Sequence, residues 1–169
     1  MSDKNKIELT NWLKSIIEET TKTINDKQYL LEVGVVSDKK RKKDNGVTNA
    51  ELMFIHENGA PLQNIPKRPV LSISIDYIER MDVLNKNLDR AIDIYFKSSK
   101  IEDFEKQLNI LASKTENVAR EIIYQNQGVL TPNAPSTIRK KGENHPLFDT
   151  GQLARSIIAR IVDESGRVV

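Results

Sequence analysis

The feature that most constrains the fold is a pair of consecutive stretches whose apolar residues recur at helical spacing. The first stretch carries Tyr77, Met81, Leu84, Leu88, Ile92 and Tyr95, and the second carries Phe104, Leu108, Leu111, Val118 and Ile122. A repeat of three to four residues places each set on one face of an α-helix. The short polar segment 98–100 separates the two stretches, so we expect an antiparallel pair of helices.

Two short runs rich in β-branched residues predict strands. They extend from Tyr29 to Val36, where we expect a central strand, and from Ile157 to Val162. The polar segment 163–166 predicts a turn that leads the chain to a hairpin partner at 167–169. The expected fold class is α+β, a small and mainly antiparallel sheet with the helix pair and shorter helices packed on one face.

Capping signals and a further apolar stripe predict the remaining helices. The stripe extends from Ile7 to about Ile24. Thr48 and Glu51 have the spacing of a capping box, which predicts a helix from Asn49 to about Glu57 that ends at Asn58-Gly59. Asp149 is predicted to be the N-cap of one more short helix, with Gln152 at the third helical position.

The length of 169 residues predicts a single domain, 1–169, with two long loops. One is a basic loop or arm at 37–49. The other is an irregular loop at 127–148, too long for an ordinary connection and therefore typical of a binding or disordered segment. Prolines at 61, 66 and 69 are expected to hold residues 60–70 in an extended, non-helical path.

Composition excludes several classes of protein. The sequence has no cysteine, which excludes disulfides, thiolate chemistry and sulfur-ligated metals. The net charge of +2 excludes a globally basic nucleic-acid binder. No apolar run reaches the roughly 20 residues that cross a bilayer, and the N-terminus does not resemble a signal peptide. We therefore expect synthesis in a cytoplasm and no contact with a membrane.

Candidate catalytic motifs lack the context that their chemistry needs. Asp149-Thr150-Gly151 matches the triplet of aspartic proteases, but those enzymes are all-β and this triplet precedes a predicted helix. His56-Glu57 lacks the second histidine that a zinc site has four residues further on. Single glycines do not form a phosphate-binding loop. The sequence therefore predicts no enzyme, no cofactor and no metal.

Two basic clusters leave two interpretations open. They comprise Lys39, Lys40, Arg41, Lys42 and Lys43 in the first loop, and Arg139, Lys140 and Lys141 in the second. Each cluster is either a solvated loop or a surface that faces DNA or docks on an acidic partner. Because no aromatic residue is interleaved to stack on bases, a contact with nucleic acid would be independent of its sequence.

Three segments in a fixed order carry a resemblance to a known family. They are 51–61, with Glu57 and Gly59; 65–71, with Pro66, Arg68 and Pro69; and 130–157, with Asp149, Thr150 and Gly151. Together they resemble the neck and tail-completion proteins of long-tailed bacteriophages, also described as virion morphogenesis or minor tail proteins. In that family a glutamate-glycine helix end precedes an Ile-Pro-x-Arg-Pro segment, and a Pro-Leu-x-Asp-Thr-Gly-x-Leu segment closes the domain. The resemblance spans roughly residues 33–162.

The resemblance implies a structural protein of the virion that completes the tail or joins it to the head. Its expected partners are further copies of itself in a six-fold ring around the DNA channel, other neck, portal-side or tail-tube proteins, and packaged DNA. Its expected location is the head–tail neck. The basic loop and the N-terminal helix depart from the family pattern and leave the neck layer open among tail completion, tail terminator and head-closure stopper.

Two questions remain open at the level of sequence. Arg68 either pairs with a carboxylate such as Glu57 or faces solvent. The alternative function is a nucleic-acid-associated module that uses the basic run 39–43.

Overall fold

The computed structural model describes residues 27–35, 46–125 and 128–169, and five isolated positions nearer the N-terminus. The helix predicted over 7–24 and the basic run 39–43 lie outside the continuous described segments. The elements follow the order β1 (Tyr29–Val35), α1 (Asn49–Asn58), a 3-10 turn (Pro61–Gln63), α2 (Val70–Arg80), α3 (Val83–Ser98), α4 (Ile101–Gln125), α5 (Pro135–Lys141), α6 (Gln152–Arg155) and β2 (Ile157–Asp163). This arrangement confirms the α+β class.

The sheet consists of β1 and β2 in antiparallel register, with Tyr29 opposite Asp163 and Val35 opposite Ile157. Among the described residues β1 pairs with β2 alone, so within this part of the chain it is an edge strand and not the central strand that was predicted. The predicted turn after β2 is confirmed, because Val168 returns to bridge Val162. The Ser165 hydroxyl and the Arg167 backbone and side chain donate hydrogen bonds to the Asp163 carboxylate, and they lower its pKa to about 2.

Helix α4 contributes to two hydrophobic clusters. Ala119 and Ile123 pack near its C-terminal end with Met53, Val70, Leu130, Leu153, Ala154 and Ile157. Phe104, Leu108 and Ala112 pack nearer its N-terminal end with Ala91 of α3 and Ile161 of β2. The predicted helix pair is confirmed as α3 and α4. No described helix combines the length and the apolar character needed to span a membrane.

The first long helix of the prediction is broken in two. Asp82 adopts a left-handed conformation with φ 55°, which separates α2 from α3. An aspartate tolerates this conformation better than most residues. The break changes which face is buried, since Met81 is 55% exposed whereas Ile78 and Ala91 are buried. The apolar residues keep their helical spacing on both sides of Asp82, so the sequence pattern does not reveal the break.

Two segments predicted to be irregular or extended contain helical turns. Within 127–148, α5 begins with Pro135 in its first turn and ends at Gly142, whose φ is 83°. Proline at the start and glycine after the end are ordinary helix boundaries, so a local signal for α5 was present. The predicted non-helical path over 60–70 is interrupted at its start, because Pro61–Gln63 form a 3-10 turn that the bridge between Ala60 and Ile65 closes.

The predicted capping box of α1 is confirmed and provides a test of local stability. Glu51 donates its backbone N–H to Thr48 Oγ1 at 3.1 Å, and Thr48 donates its own N–H to Glu51 Oε2 at 2.7 Å. We expect Thr48→Ala to lower the free energy of unfolding by about 1 kcal/mol, because it removes the side-chain acceptor. Urea unfolding monitored by circular dichroism measures this, and Thr48→Ser should restore most of the loss. Equal stability of the alanine and serine variants would contradict the expectation.

Candidate functional site

The three segments that carry the resemblance meet around the side chain of Arg68. This residue is 6% exposed, and its backbone N–H donates to the carbonyl of His56 at 2.6 Å. Its Nε donates to the Thr131 carbonyl at 2.8 Å, and its Nη2 donates to the Pro132 carbonyl at 2.9 Å. In return, the Thr131 hydroxyl donates to the carbonyl of Lys67 at 3.1 Å. Arg68 therefore joins parts of the chain that are more than 60 residues apart.

The environment of Arg68 corrects both sequence-based alternatives, since it neither pairs with Glu57 nor faces solvent. Among the described residues its guanidinium contacts no carboxylate, only carbonyl, amide and imidazole groups. Besides the two carbonyls they are Asn133 Oδ1, 3.4 Å from Nη2, and His56 Nδ1, 3.5 Å from Nη1. Burial lowers the pKa of the Arg68 guanidinium, but arginine stays protonated in proteins. Arg68 is thus a buried cation that no carboxylate in the described part of the chain pairs with.

Glu57 caps helix α2. One carboxylate oxygen accepts the backbone N–H of Leu71 at 3.0 Å, and the other accepts the N–H and the hydroxyl of Ser72, with the N–H at 2.9 Å. Pro69, at the N-cap position, has no side-chain oxygen to do this. A negative charge at this end of the helix also interacts favourably with the helix dipole. Glu57 is therefore a cap supplied from α1, across the intervening turn.

Gly59 permits the tight turn between α1 and Arg68. Its φ is 75°, and a Cβ built at this position would lie 3.0 Å from the backbone nitrogen of Lys67. Both facts favour glycine, because other residues are strained at positive φ and would push the two backbones apart. The turn carries Leu62 at its tip, where the side chain is 94% exposed.

The third segment differs from its prediction. Gly151, with φ 73°, precedes α6, and no side chain caps this helix, so the prediction that Asp149 is the N-cap is wrong. Asp149 lies two residues too early in the chain, since α6 begins at Gln152. The turn before α6 is held by a different contact, in which Arg155 Nη2 donates a hydrogen bond to the carbonyl of Thr150 at 3.0 Å.

Side chains from α5 and the segment after it complete the cluster, and sequence reasoning assigned them no such role. Lys141 Nζ donates to the carbonyl of His145 at 2.9 Å and to that of Phe148. The His145 ring stacks on Phe148 with centroids 4.5 Å apart, and its Nε2 lies 2.7 Å from the carbonyl of Ile123. Because a carbonyl only accepts, His145 Nε2 carries the hydrogen. Arg139 and Lys140 of the same basic cluster are exposed.

These elements enclose a groove of about 440 Å³, which we call the Arg68 groove. It lies between the end of α1, the turn at 64–66, α5 and residues 147–149. Its polar lining comes from His56, Asn64, Arg68, Asn133, Thr137, Lys141 and Asp149, and its apolar lining includes Leu52, Leu147 and Phe148. The lining residues include members of all three sequence segments.

Within residues 27–35, 46–125, 128–169 and the isolated positions, no group of three or more His, Asp or Glu side chains is arranged to hold a metal ion. Comparison of the chain with protein-family models, with curated proteins and with solved structures found no match.

We predict that Gly59→Ala destabilises the protein more than Gly142→Ala. Both glycines have positive φ, but a Cβ at Gly142 meets open space. Each substitution should cost about 1 kcal/mol for the backbone conformation, and Gly59→Ala should cost at least about 1 kcal/mol more for the contact with Lys67. Urea unfolding of the two variants measures the difference. Equal losses would mean that the turn relaxes around the added methyl group.

We predict that Asp149→Ala changes the free energy of unfolding by less than about 0.5 kcal/mol. The residue is exposed and caps no helix, and surface substitutions of this kind are nearly neutral. Thermal and urea unfolding of this variant and of Thr48→Ala under the same conditions compare the two losses of stability. A loss at Asp149 as large as the loss at Thr48 would restore the capping role that the structure rejects.

Proposed function

We propose that this protein is a structural subunit of the neck of a long-tailed bacteriophage, where rings of it complete the tail or join it to the head. The observation that carries the proposal is the meeting of the three family-like segments around Arg68. Segments 51–61 and 65–71 are joined by the His56 carbonyl and by the Glu57 cap. Segment 130–157 is joined to them through Thr131 and Pro132.

This connection makes the resemblance more informative than three separate short motifs. The glutamate is a cap, the glycine permits the close turn and the arginine binds the carbonyls of the distant segment. Each residue type therefore has a physical role that depends on the other segments. Three motifs that resemble a family by chance have no reason to form one hydrogen-bonded unit.

The roles of these side chains favour a scaffold over a catalyst. Arg68 and Lys141 donate to backbone carbonyls, and Glu57 accepts from backbone N–H groups. Groups used in this way hold the chain in place. The proposal accordingly includes no catalytic residue, cofactor or metal.

The surface supports assembly into an oligomer. Six large apolar side chains of the described segments are more than half exposed, namely Leu30, Phe54, Leu62, Met81, Val129 and Val168. Apolar side chains scattered singly are ordinary on a protein surface, so the support for assembly comes from features whose position is fixed, such as Leu62 and the edge of β1. The outer edge of β1 also has no strand paired to it among the described residues, and such edges accept strands from other chains.

Leu62 is the most distinctive of these side chains. It projects from a turn that the bridge between Ala60 and Ile65 closes and in which Pro61 has a fixed φ. A side chain presented on a preorganised turn loses little conformational freedom on binding. We propose that Leu62 contacts a neighbouring subunit of the ring.

The proposal places the ring around the DNA channel of the virion, after synthesis of the subunit in the host cytoplasm. The basic run 39–43 and the exposed Arg139 and Lys140 would then contact packaged DNA without regard to sequence, or dock on portal-side or tail-tube proteins. A nucleic-acid-associated module that uses the same basic run is the alternative function, and the experiment below distinguishes the two.

The test is the oligomeric state of the purified full-length protein and of two matched variants. Native mass spectrometry and negative-stain microscopy should show rings, with six copies as the expected number. Leu62→Ser should raise the protein concentration at which rings form at least about tenfold, because it removes an apolar anchor from the interface. Gln63→Ser, an exposed neighbour on the same turn, should have little effect.

A monomer at all concentrations, with DNA affinity that falls steeply as salt rises, would contradict the neck proposal and favour the alternative. Rings that are equally stable with Leu62→Ser would leave the neck proposal in place and reject the contact assigned to Leu62. Both variants should retain the unfolding midpoint of the wild type, since neither side chain is buried.

A further inference from the structure

The Arg68 groove contains a charge that the described residues do not neutralise. Arg68 is 6% exposed, and among the described residues the acceptors of its guanidinium hydrogen bonds are the carbonyls of Thr131 and Pro132 and the Asn133 side-chain oxygen, none of them a carboxylate. An isolated ion taken out of water loses hydration energy that dipoles restore only in part. A negative charge brought into the groove would therefore interact with Arg68 more strongly than with an arginine in water.

Other groups in the groove add to this preference. Lys141 brings a second cation, whereas Asp149 is the one carboxylate that lines the groove, so cations outnumber anions there. Among the residues that the structure describes, the contact of Arg68 Nη1 is a long one, 3.5 Å to His56 Nδ1. Asn133 Nδ2, a donor among the lining residues, is buried without a hydrogen-bond partner. The groove thus combines net positive charge with donors that are not fully used.

The shape and apolar lining indicate what kind of anion fits. A volume of about 440 Å³ accommodates a side chain and its adjacent backbone. Leu52, Leu147 and Phe148 line the same groove and suit the methylene groups of a glutamate better than a phosphodiester, which is polar throughout. Because Nε and Nη2 already donate to carbonyls, Nη1 is the guanidinium group left to donate to a carboxylate oxygen, and such a charge-assisted hydrogen bond is strong.

We propose that the Arg68 groove binds the carboxylate of a glutamate side chain presented by an extended segment of a partner protein. The groove is part of the cluster on which the proposed neck function rests, but its chemistry can be tested without assuming a ring. Peptide binding by a monomer would reject the neck function alone, and a ring whose groove binds no carboxylate would reject this inference alone.

The experiment uses the full-length protein labelled with 15N and a blocked pentapeptide with one central glutamate between glycines. We expect saturable shifts of the Arg68 Nε–H and Thr137 amide signals, whereas the side-chain amide of Asn87, between α3 and α4, should not move. The same peptide with glutamine should cause no shift. Glutarate should compete with the glutamate peptide, and raised salt should weaken binding.

Two pairs of variants test whether the groove is the site. Thr137→Glu places a carboxylate in the groove and should weaken peptide binding at least about tenfold. Its control is Ser136→Glu, on the exposed side of the same turn of α5, which should change the affinity less than about twofold. Asp149→Asn removes the opposing carboxylate and should tighten binding roughly threefold. Asp89→Asn, an exposed aspartate on α3, is its charge-matched control and should have no effect.

Three outcomes would overturn the proposal. The first is the absence of groove shifts with the glutamate peptide and with glutarate. The second is a response to inorganic phosphate but not to carboxylates, which would make the groove a phosphate site. The third is equal binding by the Thr137→Glu and Ser136→Glu variants when both keep the wild-type unfolding midpoint.

Discussion

The burial of the Arg68 guanidinium is the constraint on which the arrangement of the loops depends. The charge can leave water only where several acceptors surround it, and Thr131 and Pro132 supply two carbonyls at hydrogen-bond distance. Those carbonyls are in position only when the segment after α4 lies against the segment before α2. The Arg68 backbone also bonds to His56 at the end of α1. One side chain thus determines how three loops close over one end of the helical core.

The core explains why such a contact is needed. Helix α4 supports the two-stranded sheet and α3 through one cluster around Phe104, and supports α1, α2 and α6 through another around Ile123. A two-stranded sheet is marginal alone and needs a helix packed on it. The long connection between α4 and α6 is anchored to this core by a few apolar side chains, among them Leu130 and Leu147. Polar contacts such as those of Arg68 and Lys141 order the rest of the connection, and the groove forms between them.

The same contacts link architecture to the proposed function. A neck subunit has to present defined surfaces to neighbours on several sides, and preorganised loops do so with a smaller loss of entropy on binding. The proposal assigns two such surfaces to this protein, Leu62 on its closed turn and the cationic groove around Arg68. One is apolar and the other is positively charged, so they fit different chemical groups on a partner.

Features that depend on neighbours in the chain were determined by the sequence itself. The capping box at Thr48, the two strands and the pairing of α3 with α4 follow from spacing within a few residues. The break at Asp82 was not predictable from periodicity, because the apolar pattern continues through it.

Tertiary structure alone decided the partners of the site residues. Arg68 bonds to carbonyls 63 and 64 residues away, and carbonyls are present at every residue, so nothing in the sequence marks which ones it uses. Asp149 has the spacing of a cap, yet the left-handed turn at Gly151 starts α6 after it and leaves the carboxylate at the groove. Local sequence determines which elements can form, whereas the partners of a buried charge depend on which distant backbone groups the folded chain brings to it.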